Sequence, residues 1–173
     1  MYIKIIGGLF LLSSAAAIGF LKAEELKERV NRLQELKRMI LFLQGELRFH
    51  RAELSEAFQN VSERVEEPFK SFLQETTKQL EQRELGGFEA VWHYNQKILL
   101  RAEGFLKEDA QLLELLGSSL GYLDLTMQTE NLNLTLMRTE DAIADAKKQQ
   151  ESKGKLYQTM GVTVGALLTL LII

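Results

Sequence analysis

The stretch LYQTMGVTVGALLTLLII, Leu156–Ile173, is the starting point for predicting the fold, because its 18 residues include no Asp, Glu, Lys or Arg. A helix rises about 1.5 Å per residue, so this run would extend roughly 27 Å, close to the hydrocarbon thickness of a bilayer. We therefore predict that Leu156–Ile173 forms a transmembrane helix.

A second apolar run, Met1–Leu21, begins the sequence, and its one charged residue is Lys4. All 24 acidic residues and nearly all of the 21 Lys and Arg residues lie between the two runs. This distribution predicts three parts: a transmembrane helix over residues 1–21, a polar domain over residues 22–155 and a transmembrane helix over residues 156–173. The polar part is long enough for one small domain with its own core.

The polar part is poor in residues that break helices. The chain has one proline, Pro68, and 12 glycines, and it has no cysteine for disulfides or thiolate chemistry. Strong helix formers dominate, and no stretch alternates β-branched with polar residues as an amphipathic strand does. We predict an all-α protein, in which a bundle of about six helices is flanked by an N-terminal and a C-terminal transmembrane helix.

Apolar spacing and helix breakers set the predicted helix limits. The first long helix, from Ala23 to about Arg51, has an apolar stripe at intervals of three and four residues. Its members are Leu26, Val30, Leu33, Leu36, Ile40, Leu43 and Leu47. Further helices are predicted over residues 54–65, 68–83, 88–102 and 106–119, with breaks at Pro68 and at Gly86-Gly87. The last helix begins near Tyr122, and whether it continues through Gly154 stays open.

Basic residues flank both apolar runs on the side of the polar domain: Lys22, Lys27, Arg29 and Arg32 after the first, and Lys147, Lys148, Lys153 and Lys155 before the second. By the positive-inside rule, both ends of the polar domain lie in the cytoplasm. The small residues Ala15–Ala17 also fit a cleaved signal peptide, but the apolar run continues beyond them. We favour an uncleaved anchor and a two-span protein in the cell membrane, and cleavage stays open.

No pattern of catalytic or cofactor-binding residues is present in the sequence. His50 and His93 lie far apart, and Glu46 with His50 offers two ligands where a zinc site needs three or four. Phosphate-binding loops, nucleophile elbows and Ser-His-Asp patterns are missing. A net charge of −3 provides no basic surface for nucleic acid. We therefore predict a protein without enzymatic activity, metal, cofactor or nucleic-acid partner.

Five residues of the polar domain are candidates for packing or for partner contact. Trp92 suits an interface anchor, although bundle core is the simpler interpretation. Gly117 and Gly121 suit either a hinge or close helix packing. Asp124 suits the cap of a helix or a partner contact, and Gln128, four residues later, is spaced for a hydrogen bond with it.

Small residues form matching faces in the two apolar runs. Gly161 and Gly165 are four residues apart in one run, as are Ala15 and Gly19 in the other, and such spacing permits close approach of helix backbones. The sequence leaves open whether these faces pack within one molecule or between copies, so self-association is an open alternative.

The stretch LGSSLGYLDLTMQTENLNLTL, Leu116–Leu136, followed by YQTMGVTVGALLTLLII, resembles the C-terminal half of the stage III sporulation protein AB family. The shared pattern places Leu-Gly, Leu-Gly, Asp and Gln before a long helix and a glycine-containing span. LSEAF at Leu54–Phe58, Pro68 and EAVW at Glu89–Trp92 extend the resemblance to the N-terminal half. Phe49–Leu54 lacks the glycine and proline of the family's Tyr-Gly-x-Thr-Pro-Leu-like turn, which leaves the geometry of that turn open.

The resemblance implies a membrane component of a sporulation-specific transenvelope complex between mother cell and forespore. The family's bundle in turn resembles a cytoplasmic module of the inner-membrane platform protein of type II secretion and type IV pilus machines. By that analogy, the bundle would meet a traffic-type ATPase, stage III sporulation protein AA, while the spans meet lipid and other components. A membrane-anchored signal-transducing or scaffold protein remains the alternative, and a membrane-bound enzyme is disfavoured by the missing patterns.

Overall fold

The computed structural model describes residues 2–50, 52–82, 86–102, 104–121 and 124–172, and within these ranges every regular element is helical. The six α-helices are α1 (Tyr2–Gly45), α2 (Leu54–Ser62), α3 (Phe69–Gln82), α4 (Phe88–Leu99), α5 (Ala110–Leu120) and α6 (Leu125–Ile172). A π-helical turn, Glu46–His50, follows α1, and a 3-10 turn, Lys107–Asp109, precedes α5. The predicted all-α class is confirmed.

Some predicted helix limits fall outside the described residues, namely Arg51, Arg83 and Tyr122, as do the outermost residues of the two predicted spans, Met1 and Ile173. The predicted helix ends at residues 65 and 102 lie three residues beyond the ends of α2 and α4, because both helices end in tight turns. Backbone hydrogen bonds close these turns, from Arg64 to Val61 and from Ala102 to Leu99. The predicted start at residue 106 lies four residues before α5, because the 3-10 turn comes first.

Helices α1 and α6 each include one of the two apolar runs. The predicted first span and the predicted first polar helix form one uninterrupted helix, Tyr2–Gly45. The composition changes after Leu21, but no glycine or proline follows there, so the backbone has no reason to leave the helix. Helix α6 is likewise continuous through Gly154, since one glycine within a helix costs only about 1 kcal/mol.

The chain divides into two compact units. The hairpin unit comprises Met1–Val30 and Ala144–Ile173, and the bundle unit comprises Asn31–Ile143. These limits follow chain packing, whereas the predicted limits at residues 21 and 156 concern the edges of a membrane. The predicted membrane limits therefore stay predictions.

The core of the bundle unit is formed by the predicted apolar stripe of α1 together with residues of the later helices. In the bundle unit, α1 and α6 are joined by a hydrogen bond from Gln44 to Asn133 (2.6 Å) and an ion pair between Lys37 and Glu140 (2.7 Å). Helices α2 to α5 pack consecutively, each against the next. The largest fully buried side chains of this core are Leu33, Leu36, Met39, Ile40, Leu43, Phe58, Val61, Phe69, Leu73, Leu113, Leu116 and Leu132.

Candidate functional site

Trp92 lies in an aromatic cluster at the centre of the bundle unit and is only 3% exposed. Its indole N–H donates to the backbone oxygen of Leu113 at 2.9 Å. The ring of Phe72 lies edge-on to the indole, with centroids 5.0 Å apart, and Phe58 and Phe88 flank it at 6.1 and 5.7 Å. Buried aromatic pairs prefer such offset and edge-on arrangements. The indole is therefore held both by its ring contacts and by its one polar atom.

Gly117 allows α5 to lie directly on the Trp92 indole. A Cβ atom at Gly117 would lie 2.8 Å from Cε2 of Trp92 and closer still to Cδ1 and Nε1. Real Cβ atoms essentially never approach other atoms within 3.0 Å. Of the two interpretations that the sequence left open for Gly117, this contact supports close helix packing.

Gly121, Asp124 and Gln128 lie at the corner between α5 and α6. Gly121 ends α5 with a right-handed backbone, and its N–H donates to the Gly117 oxygen at 3.1 Å. Oδ1 of Asp124 accepts a hydrogen bond from the N–H of Met127 at 2.9 Å, which is the geometry of a helix cap. The buried amide of Gln128 donates to the oxygen of Leu120 at 3.0 Å. Both polar side chains thus satisfy backbone groups at the end of α5 and the start of α6, and these contacts take the place of the hydrogen bond that their spacing suggested.

A groove of about 830 Å³ opens between α4 and α5 beside the aromatic cluster that contains Trp92. Phe88, Trp92 and Gly117 line it on its apolar side, and the exposed carboxylates of Glu89 and Glu114 lie at its rim. The sequence patterns pointed to Trp92 and Gly117 but not to the two glutamates. Their place at the rim depends on how α4 crosses α5, which periodicity within one helix does not reveal.

Glu46, considered above with His50 as a pair of metal ligands, is engaged in packing. It is buried, its Oε2 accepts from the Asn60 amide at 3.1 Å, and its Oε1 pairs with Arg64 at 3.3 Å. The Arg64 guanidinium also lies 4.1 Å from the centroid of the Phe42 ring. Within the described part of the chain, no group of three or more His, Cys, Asp or Glu is placed to hold a metal ion.

The small faces of the two apolar runs contact each other within the hairpin unit. A Cβ at Gly161 would lie 2.7 Å from the oxygen of Ala15, and one at Gly165 would lie 3.1 Å from the Cβ of Ala15. A Cβ at Gly19 would lie 3.2 Å from the Cα of Gly161. Thr169 Oγ1 adds a hydrogen bond to the oxygen of Gly8 at 2.9 Å. In this single chain the two faces therefore pack against each other, and self-association between copies stays a prediction.

Large apolar side chains point away from this contact between helices. Phe10 is 74% exposed and Leu170 is 75% exposed. Other exposed apolar residues of the unit are Ile6, Leu9, Ile18, Phe20, Leu21, Leu156, Tyr157, Met160, Val162, Val164, Leu167, Leu168 and Leu171. The hairpin unit thus has small residues inside and large apolar residues outside, the reverse of a domain that folds in water.

One helix among the described residues, Ile6–Phe49, is long and apolar enough to cross a membrane by length and composition. Only 17% of its most apolar window is buried, which separates it from the core helix of a water-soluble protein. The predicted C-terminal span reaches Ile173, which lies outside the described residues. The N-terminal helix therefore fits membrane association.

Acidic neighbours accompany the basic residues that follow the first apolar run. Lys22 pairs with Glu25 and Lys27 pairs with Glu24, each at 2.7 Å. The hydrogen bond and charge of Glu24 raise the pKa of Lys27, with a smaller contribution from Glu28. The pairing with Glu24 thus favours the charged form of Lys27.

Comparison with known proteins identifies the family. The family model described as stage III sporulation protein AB matches residues 4–173. The stage III sporulation protein AB of Bacillus subtilis (strain 168) is 24% identical over 170 residues, which cover 98% of this chain and 99% of that protein. A solved structure of a stage III sporulation protein AB has a similar fold, with a TM-score of 0.66 at 22% identity, covering 72% of this chain and 98% of the other. The chain therefore belongs to the stage III sporulation protein AB family.

Proposed function

We propose that this protein is a non-enzymatic membrane component of a sporulation-specific transenvelope complex between mother cell and forespore. In this role it is a two-span protein whose cytoplasmic bundle serves as a platform for a traffic-type ATPase. Membership in the stage III sporulation protein AB family supports the role in sporulation. The platform role is supported by the resemblance of the family's bundle to a module of secretion platforms, which is an analogy of fold.

The arrangement of the hairpin unit carries the membrane part of the proposal. Burial of apolar surface is worth about 25 cal/mol per Å², so a row of exposed Leu, Ile and Phe side chains is unfavourable in water. In lipid the same side chains are solvated, and association then depends on close backbone packing at small residues and on interhelical hydrogen bonds. The glycine contacts and the hydrogen bond of Thr169 to Gly8 provide both.

The basic residues beside each apolar run support a cytoplasmic bundle unit. Lys147, Lys148, Lys153 and Lys155 precede the second run, and all four are exposed. Lysines near the end of a membrane helix favour the cytoplasmic side, and acidic neighbours change this preference little. The basic residues after the first run, Lys22, Lys27, Arg29 and Arg32, indicate the same side of the membrane.

A reporter in the loop at Gly86-Gly87 tests the topology, because both glycines are exposed and no described atom lies within 4 Å of an added Cβ. Green fluorescent protein inserted there should fluoresce, and alkaline phosphatase should be inactive, since the phosphatase requires export. The opposite pair of signals would reject a cytoplasmic platform. Alkaline phosphatase fused after the last residue is the matched control and should be active.

The ATPase contact is tested by copurifying the full-length protein, in detergent, with stage III sporulation protein AA. We expect the two proteins to be recovered together, and failure to recover the ATPase under several detergents would reject the platform role. Deletion of the gene in a spore-former tests the wider role. Normal growth with arrest after engulfment is expected, and normal spores would contradict the proposal.

A further inference from the structure

The groove between α4 and α5 contains a hydrogen-bond acceptor that the protein itself does not use. Gln96 lines the groove and is only 5% exposed. Its amide nitrogen donates to the oxygen of Ala110 at 3.1 Å, which fixes which atom is the oxygen. Oε1 is buried and has no hydrogen-bond partner among the described residues. A buried unpaired acceptor costs about 1–3 kcal/mol, so a donor supplied from outside would be stabilising.

The rim of the groove adds two negative charges. Glu89, in the first turn of α4, and Glu114, near the middle of α5, are both exposed. Neither forms an ion pair within the described part of the chain. His93 lies one helical turn beyond Glu89 on the same rim. The polar groups that face the groove from both helices are therefore mostly acceptors, which favour a cationic ligand over an anionic one.

The apolar side of the groove has room for one large side chain. Phe88 is only partly buried there and Ala90 is exposed, while the Trp92 indole beside them is covered by the backbone of α5 at Gly117. An aromatic or aliphatic side chain bound at this surface would be removed from water, as the anchor residues of protein interfaces are. The groove thus combines an apolar surface with an acidic rim.

We propose that the α4–α5 groove binds a basic segment of a partner protein, in which one large apolar side chain is flanked by lysine or arginine. The apolar side chain lies against Phe88 and Ala90, beside the buried indole of Trp92, and the cations pair with Glu89 and Glu114. A donor of the same segment satisfies Oε1 of Gln96. An acidic segment would meet like charges at the rim and leave that acceptor unpaired. The inference concerns the chemistry of the partner and holds whichever complex supplies it.

The test uses the full-length protein in lipid nanodiscs and a phage library of short random peptides without tryptophan. Selection is made on the natural protein and, in parallel, on Ala90→Leu/Ser118→Leu, in which two exposed groove residues are enlarged. The proposal expects enriched peptides in which a large apolar residue adjoins Lys or Arg, and no enrichment on the filled groove. Equal enrichment on both proteins, or enriched peptides without basic residues, would overturn it.

A synthetic copy of an enriched peptide then gives an affinity, because Trp92 is the single tryptophan of the chain and reports on the groove by its fluorescence. Replacing Glu89 and Glu114 by glutamine should weaken binding about tenfold, as expected for two partly exposed ion pairs. The matched control replaces Glu56 and Glu81, which are exposed on α2 and α3, and should bind normally. If the filled variant does not fold, these exposed substitutions decide, and equal affinity in both double variants rejects the proposal.

Discussion

Replacing Gly117 with alanine should destabilise the bundle unit, although alanine is the better helix former. The new Cβ would lie within 2.8 Å of Cε2 of Trp92, closer than real Cβ atoms come. The indole is not the flexible end of a side chain. Phe58 and Phe72 pack against it, and its N–H is bonded to Leu113, so it moves only if those contacts change.

Overpacking of this kind costs about 1–3 kcal/mol. If the indole turns away, the hydrogen bond to Leu113 adds about 1 kcal/mol to the loss. Against this, alanine in place of glycine favours a helix by up to about 1 kcal/mol. The net expectation is a loss of about 2 kcal/mol in the free energy of unfolding. For a chain of this size, that corresponds to a melting temperature about 4–8 °C lower.

The measurement is thermal unfolding of the full-length protein in detergent, followed by Trp92 fluorescence and by far-ultraviolet circular dichroism. Gly45→Ala is the matched control, because Gly45 is also helical and no described atom lies within 4 Å of an added Cβ. The control should melt at or slightly above the natural temperature. If Gly117→Ala melts at the same temperature as this control, the indole does not lie against Gly117 and the packing argument fails.

Three further predictions concern the hairpin unit, the α5–α6 corner and α6. Ala15→Cys/Gly165→Cys should form a disulfide within one molecule on oxidation, since the two Cβ positions, 3.1 Å apart, need to separate by less than about 1 Å to match the Cβ spacing of a disulfide. Phe10→Cys/Leu170→Cys, at two exposed positions, is the control, and crosslinking mainly between molecules by the first pair would contradict the hairpin. Asp124→Ala should lower the melting temperature by about 2–4 °C through loss of the α6 cap. Asp124→Asn keeps a capping oxygen and should melt close to the natural temperature. Equal melting temperatures of the two variants would show that the cap contributes nothing. Lys153→Gly/Lys155→Gly, beside Gly154, should destabilise α6 by about 2 kcal/mol and reduce spore counts. Lys153→Ala/Lys155→Ala is the control and should do neither. The same spore count for both pairs would show that a stiff α6 is not needed.

The sequence predicted the helical class and much of the core, because both depend on local patterns. The stripe from Leu33 to Leu47 is buried, as its spacing indicates. Ile98, which lies next to the buried Leu99 in α4, is exposed. Its side chain lies about 100° from that of Leu99 around the helix, and α4 buries only one face.

The contacts of the candidate site could not be read from the sequence, since they join residues of different helices. Trp92 and Gly117 are 25 positions apart, and each alone has several ordinary explanations. The signal for Gln96 was weak but present. It lies four residues after Trp92, hence on the same helix face, and a polar residue on a buried face needs partners. The contact between Gly161 and Ala15 could not be predicted either, because a face of small residues can pack against the other helix of its own molecule or against another copy.

The pairing of the small faces in the hairpin unit bears on how partners are recognised. On the proposed topology, Gly161 and Gly165 are already covered by the helix that contains Ala15, so they are not free to bind another copy. The surface left to the lipid consists of bulky side chains such as Phe10 and Leu170, which keep neighbouring backbones apart. Within the membrane the protein is then a poor discriminator among neighbours. On that topology, selectivity for the other subunits of the proposed complex comes from the bundle unit, and the two predicted spans set only its location.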